Sequence, residues 1–148
     1  MSQGVGPAHD AGAAKGSTLA AVAVGGVIGS LGRWGLGEVA RGAHWATLLV
    51  NVTGGLAMGL LVAWLAAGPQ HPLARPFLTV GLLGGWTTYS SFALDAHALG
   101  GDGLGGLLGY VAATLVLGVG AAVVGLVAGD RLRGSGPLAD EIVAEEEL

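Results

Sequence analysis

Apolar residues fill four long stretches of this chain, and polar residues, proline and charge collect in the short gaps between them. The first stretch, Thr18–Val39, ends at the polar loop Ala40–His44. The second, Trp45–Ala67, stops at Gly68-Pro69, where proline cannot continue a helix. A loop over 70–75, closed by Pro72 and Pro76, leads into the third stretch, Phe77–Leu99. The turn Gly100-Gly101-Asp102-Gly103 then precedes the fourth, Leu104–Ala128. At 1.5 Å per residue each stretch makes a helix of about 33–37 Å, enough to cross a hydrocarbon core of about 30 Å with some tilt. The expectation is an all-α membrane protein with four transmembrane helices, over about 18–39, 45–67, 77–99 and 104–128. Residues 1–17 read as a disordered N-terminal tail, and residues 130–148 as an acidic C-terminal tail.

The third stretch breaks its own pattern. Gly81-Leu82-Leu83-Gly84-Gly85-Trp86 is followed by Thr87-Thr88-Tyr89-Ser90-Ser91-Phe92, so glycines and hydroxyl residues interrupt an otherwise apolar helix. A break at membrane depth frees backbone groups that must find protein, water or an ion as partner. Such breaks build ion and substrate sites. The third helix is therefore expected to be broken in mid-membrane, with the site at the break.

Composition strengthens the membrane reading. Hydrophobic residues make up 52% of the 148 and charged residues only 11%, where a soluble domain carries about 25% charge. Mean hydropathy is +0.68. Thirty residues are glycine, and many recur at four-residue spacing (Gly25/Gly29, Gly55/Gly59, Gly81/Gly85, Gly105/Gly109, Gly125/Gly129), which lets helix backbones approach in lipid. Trp34, Trp45 and Trp64 fall near span ends as interfacial anchors. Lys15, Arg75, Arg131 and Arg133 share one side, a bias that places the termini in the cytoplasm. Half of the acidic residues lie in the last nine positions and form a solvated tail. There is no basic patch for nucleic acid. Without cysteine, thiol catalysis and Cys-ligated metals are excluded. No phosphate-binding GxxxxGK[ST] loop occurs. Ser91 and His97, six apart, do not share a helix face. No enzyme is expected.

Few polar groups remain inside the spans. Asn51 can bond a neighbouring helix or an anion. Arg33 can snorkel to the interface or serve a function, and Asp95 has the same ambiguity. Tyr110 and Thr114, four apart, form a short polar stripe. Tyr89 and Phe92, three apart, can pack or turn their positive ring edges toward an anion. His44 and His71 fall in loops, and His97 sits beside Asp95 without metal-ligand spacing.

Three motifs in order carry a resemblance to a known family. Gly25-Gly26-Val27-Ile28-Gly29-Ser30-Leu31-Gly32-Arg33-Trp34 is similar to GGxxGxxxR plus an aromatic. Thr47-Leu48-Leu49-Val50-Asn51-Val52-Thr53-Gly54 is similar to TLxxNxxG. Gly84-Gly85-Trp86-Thr87-Thr88-Tyr89-Ser90-Ser91-Phe92 is similar to GGxTTFSTF. Over about residues 23–128 the chain resembles the Fluc/CrcB family of fluoride channels.

That resemblance implies an antiparallel dimer, of the chain with itself or with a paralogous subunit, in the cell's inner (plasma) membrane. It implies passive, fluoride-selective export that lowers intracellular fluoride. It also implies a structural, untransported Na⁺ at the dimer centre, held by the carbonyls of Gly84 and Thr87. Its pore residues fall on Asn51, Thr88, Tyr89, Ser90, Ser91, Phe92, Tyr110 and Thr114, and its vestibule residues on Arg33 and Asp95. Tyr89 stands where the family usually has phenylalanine, Ser91 where it has threonine, and Asp95 where it usually has glutamate. The alternatives are a small four-helix proton-coupled multidrug exporter and a non-transporting membrane assembly subunit. The first needs a carboxylate deep in the first helix, where only Glu38 stands, near the end. The second has no use for a broken span.

Overall fold

The computed structural model describes residues 7–41, 43–66, 68, 71–101 and 103–133. All regular elements among them are helices: α1 (Pro7–Val39), α2 (His44–Ala66), a π-helical stretch (Pro76–Leu83), α3 (Gly84–Trp86), α4 (Tyr89–Gly101) and α5 (Leu104–Arg133). Three are long and apolar enough to cross a membrane, over Ala14–Val39, His44–Ala66 and Leu104–Leu132.

Helix runs through the expected turn residues Gly100 and Gly101, and two larger differences from expectation have physical reasons. The first helix begins at Pro7, so residues 7–17 are helical rather than part of a disordered tail. Proline is tolerated in a first turn, and the alanines that follow are the best helix formers. Ser17 Oγ and Thr18 Oγ1 donate back to the Ala14 carbonyl at 3.0 and 2.9 Å and prolong the helix instead of capping a new one. At the other end, Gly129 does not terminate α5, which runs on to Arg133. A Cβ at Gly129 would meet that of Ala63 at 2.7 Å, so this glycine serves close packing. The remainder of the expected acidic tail, 134–148, lies outside the described residues.

Glycine pairs set the helix packing. Cβ atoms built at Gly25 and Gly29 would collide with backbone of Phe77 to Trp86, and those at Gly81 and Gly85 with backbone of α1 from Val22 to Ser30. In the same way Gly55 and Gly59 face Gly118, Ala122 and Leu126, while Gly125 and Gly129 face Leu56, Leu60 and Ala63. The molecule is thus two backbone-close pairs, α1 with the 76–86 helix and α2 with α5. Gly105 and Gly109 have the same spacing but meet nothing within 4 Å.

Little apolar area is hidden inside. The buried apolar residues are small or medium: Ala46, Val50, Ala63, Leu83 and Ala96. Large apolar side chains face outward along α1 and α5, among them Val27, Leu31, Leu115, Val116 and Val119. A water-soluble chain rarely presents apolar surface this extensive. In lipid it carries no penalty, since association there rests on close packing instead.

Candidate functional site

The site forms where the third helical segment is interrupted. After α3 the backbone swings to an extended conformation at Thr87 (φ −75°, ψ 159°), and helix resumes at Tyr89. Two side chains substitute for the helical hydrogen bonds lost there. In an unbroken helix the Thr88 N–H would go to the Gly84 carbonyl; here it goes to Asn51 Oδ1 at 2.9 Å. The Ser91 N–H, which would go to the Thr87 carbonyl, goes to Thr88 Oγ1 at 3.1 Å. That second bond is the pattern of a threonine N-cap.

Asn51 Nδ2 completes the clasp by donating to the Thr88 carbonyl at 3.0 Å. Arg33 reaches across from α1, and its Nε donates to the Gly85 carbonyl at 3.0 Å. The hydrogen bonds around the break bring no donor from the described residues to the carbonyls of Gly84, Trp86 or Thr87. A hard cation takes such oxygens, so the donor set expected for Na⁺ is chemically suited to it.

Trp86 wedges the break open from behind. Its ring lies against Gly32 of α1, where a Cβ would come to 3.0 Å of the indole, and against Gly54 of α2. Its Nε1 donates to Thr53 Oγ1 at 2.9 Å. Thr53 Oγ1 also donates to the Leu49 carbonyl at 2.7 Å, so it serves both its own helix and the indole.

Two cavities meet at Thr88. The larger, about 740 Å³, is a vestibule lined in part by Ser30, Arg33, Glu38, Arg41, Thr47, Thr88 and Ser91. The smaller, about 290 Å³, is lined by Asn51, Thr87, Thr88, Tyr89, Phe92, Thr114 and Leu115. Thr88 is itself buried and stands in the wall of both. Its hydroxyl lies 3.1 Å from Ser91 Oγ and 3.3 Å from Ser90 Oγ, a cluster of three hydroxyls beside the break. Thr114, which lines the smaller cavity, is buried. One amide hydrogen of Asn51 has no acceptor among the described residues, because its other bonds go to Thr88.

An aromatic ladder forms the next wall. Tyr89 and Phe92 rings are 5.8 Å apart, tilted by 47°. Phe92 and Tyr110 are 5.7 Å apart and stacked at 22°. The Tyr110 hydroxyl donates to Asp95 Oδ2 at 3.1 Å. Asp95 Oδ1 in turn accepts from His44 Nδ1 at 2.8 Å.

The structure therefore gathers Asn51, Thr87, Thr88, Tyr89, Ser90, Ser91, Phe92 and Thr114 around the break, with Arg33 at the vestibule. Asp95 and Tyr110 stand together one step further along. Sequence reasoning missed the partner of Asp95. It placed His44 in a loop and weighed His97, whereas α2 begins at His44 and brings the imidazole to a carboxylate 51 positions away. It also gave Trp86 no role. Its spacing to any glycine offered no cue, since Gly32 and Gly54 lie on other helices.

Comparison with known proteins places the chain in a family. Residues 20–126 match the family described as CrcB-like protein, Camphor Resistance (CrcB). A protein of Paracoccus denitrificans named Fluoride-specific ion channel FluC is 46% identical over 118 residues, covering 76% of this chain and 94% of that protein. One of the same name from Rhodospirillum centenum is 47% identical over 116 residues, covering 73% and 91%. Another, from Thermus thermophilus, is 41% identical over 120 residues, covering 76% and 95%.

Proposed function

This chain belongs to the CrcB family, and on that basis we propose that it is a fluoride-selective ion channel whose ion path passes the break between Trp86 and Tyr89. It is a multi-pass membrane protein and not an enzyme. In this reading residues 76–101 cross the bilayer as a fourth, interrupted span. Two copies, or this chain and a paralogous subunit, pair in antiparallel fashion in the plasma membrane. The carbonyls of Gly84 and Thr87 support a Na⁺ between them, because two oxygens from each of two subunits supply four of the six or more ligands a hard cation takes. A Na⁺ held by these carbonyls would be structural, supplying positive charge to oxygens that water cannot reach at that depth.

The chemistry of conduction follows from the lining. The Arg33 guanidinium draws an anion into the vestibule. Ser91 and Thr88 offer hydroxyl donors as the ion sheds water. Beyond Thr88 the spare Asn51 hydrogen, the Thr114 hydroxyl and the positive edge of the Phe92 ring replace more of the lost hydration. None of these is a full charge, so the ion is held weakly at several places and can leave. A larger halide keeps the same charge but needs a wider passage. Because no energy-coupling motif is present, flow follows the electrochemical gradient, and a negative interior drives fluoride out.

The observation that carries this reading is the break itself, where Asn51 clasps the Thr88 backbone and two cavities with polar linings meet at Thr88. Liposomes loaded with fluoride and reconstituted with the purified chain test it: a fluoride electrode should register rapid release once counter-ion flow is permitted. Retention at the protein-free level would refute it.

A further inference from the structure

We infer that His44 is a positioning residue for the ion path, acting through the hydrogen-bonded line His44–Asp95–Tyr110 that closes the aromatic ladder at Phe92. The inference rests on the channel reading above.

The line is continuous across three helices. His44 is the first residue of α2, Asp95 lies in α4 and Tyr110 in α5. An ionised carboxylate only accepts, so the contact at 2.8 Å requires the proton on His44 Nδ1. The other carboxylate oxygen takes the Tyr110 hydroxyl at 3.1 Å. The imidazole also meets the Tyr110 ring edge-on, 6.4 Å between centroids at 63°, so His44 touches both members it aligns. Tyr110 then stacks on Phe92, and Phe92 contacts Tyr89.

Two consequences follow for an anion path. With both oxygens engaged, Asp95 is held where it stands. Asp95 is four residues after Ser91, on the same face of α4, and Ser91 lines the vestibule. Without His44 the carboxylate keeps the Tyr110 hydroxyl but loses the contact that fixes its other oxygen, so its position loosens. The Tyr110 hydroxyl would also lose its fixed acceptor, and the Phe92 ring the rigid plane it stacks on. His44 thus contributes by holding a charge and a ring, without contacting the ion.

The test compares reconstituted variants by fluoride efflux at equal protein density. His44→Phe keeps a ring against Tyr110 and removes the donor. It should slow efflux by about tenfold, the scale of a lost hydrogen bond to a charged group. His44→Asn places an amide N–H near the position of Nδ1 and should return the rate to within about twofold of wild type, as retention of the charge-assisted bond requires. In a Tyr110→Phe background, His44→Phe should cost little more than Tyr110→Phe alone, because residues in one network are not additive. His97→Ala, exposed on the helix that carries Asp95, should leave the rate unchanged.

Wild-type rates in His44→Phe would overturn the assignment. So would His44→Asn failing as badly as His44→Phe, or full additivity with Tyr110→Phe. A silent wild-type chain would instead bring down the channel reading and this inference with it. If His44→Phe does not yield dispersed protein, His44→Leu, which also lacks the donor, takes its place in each comparison.

Discussion

Replacing Asn51 with aspartate changes one NH₂ group to an oxygen and leaves side-chain volume almost constant. The new carboxylate can still accept from the Thr88 N–H, as Asn51 Oδ1 does at 2.9 Å. It cannot donate to the Thr88 carbonyl, which now receives Nδ2 at 3.0 Å and would face a second acceptor at that distance. The lost bond is worth about 1 kcal/mol net, and a buried carbonyl left opposite another oxygen raises the total to about 2–3 kcal/mol. That strain falls on Thr88, the residue shared by both cavities. The added negative charge also stands beside the path of an anion. If only about 2 kcal/mol appears in the barrier to conduction, the rate falls about 30-fold. Fluoride efflux from liposomes reads the rate, while size-exclusion elution and thermal unfolding in detergent show whether the fold survives. A folded Asn51→Asp protein that releases fluoride within about twofold of wild type would refute the clasp as a conduction element, since the strain alone requires more than a tenfold change.

Phe92→Ile removes the ring edge and keeps apolar bulk, so efflux should drop sharply with little change in unfolding temperature; unchanged flux would return Phe92 to ordinary packing. Gly59→Ala drives a methyl into the Ala122 carbonyl, and a collision with backbone should cost about 2 kcal/mol or more, within the range for overpacking. Gly120→Ala, with nothing within 4 Å, should be neutral or gain up to about 1 kcal/mol from helix propensity; equal melting temperatures for the two would contradict the glycine-packed interface. Replacing Na⁺ by a bulky organic cation on both sides should lower thermal stability and flux together if the Gly84 and Thr87 carbonyls hold the cation, and identical melting curves would argue against it.

Much of the helix plan was legible because long apolar runs leave little choice. The limits of α2 at His44 and Ala66 fall within a residue of those read from Trp45 and Ala67. The interruption was marked by its composition, since Gly84, Gly85, Thr87 and Thr88 are poor interior helix formers. The π-helical winding over Pro76–Leu83 had no sequence cue. It arises where Gly25, Gly29 and Gly81 let two backbones close up, a tertiary condition. Helix ends at glycine were misread at Gly129 for the same reason: glycine marks an end or a close approach, and only the partner helix decides which. Asn51 illustrates the same divide within the site. Its two readings, bond to another helix or contact to an anion, could not be separated from its sequence position. The amide clasps the Thr88 backbone and retains one hydrogen for the cavity. The pairing of Asp95 with His44 was invisible because two intervening loops determine it.

Selectivity is the property from which every role assigned above derives its meaning. Liposomes containing the chain alone should be loaded with equal fluoride and chloride, and the release of both followed in one vessel by two ion-selective electrodes. The account predicts that fluoride empties from the protein-bearing vesicles while chloride stays at the level of protein-free controls. Chloride leaving as fast as fluoride, or fluoride retained with the chain inserted and folded, would contradict it.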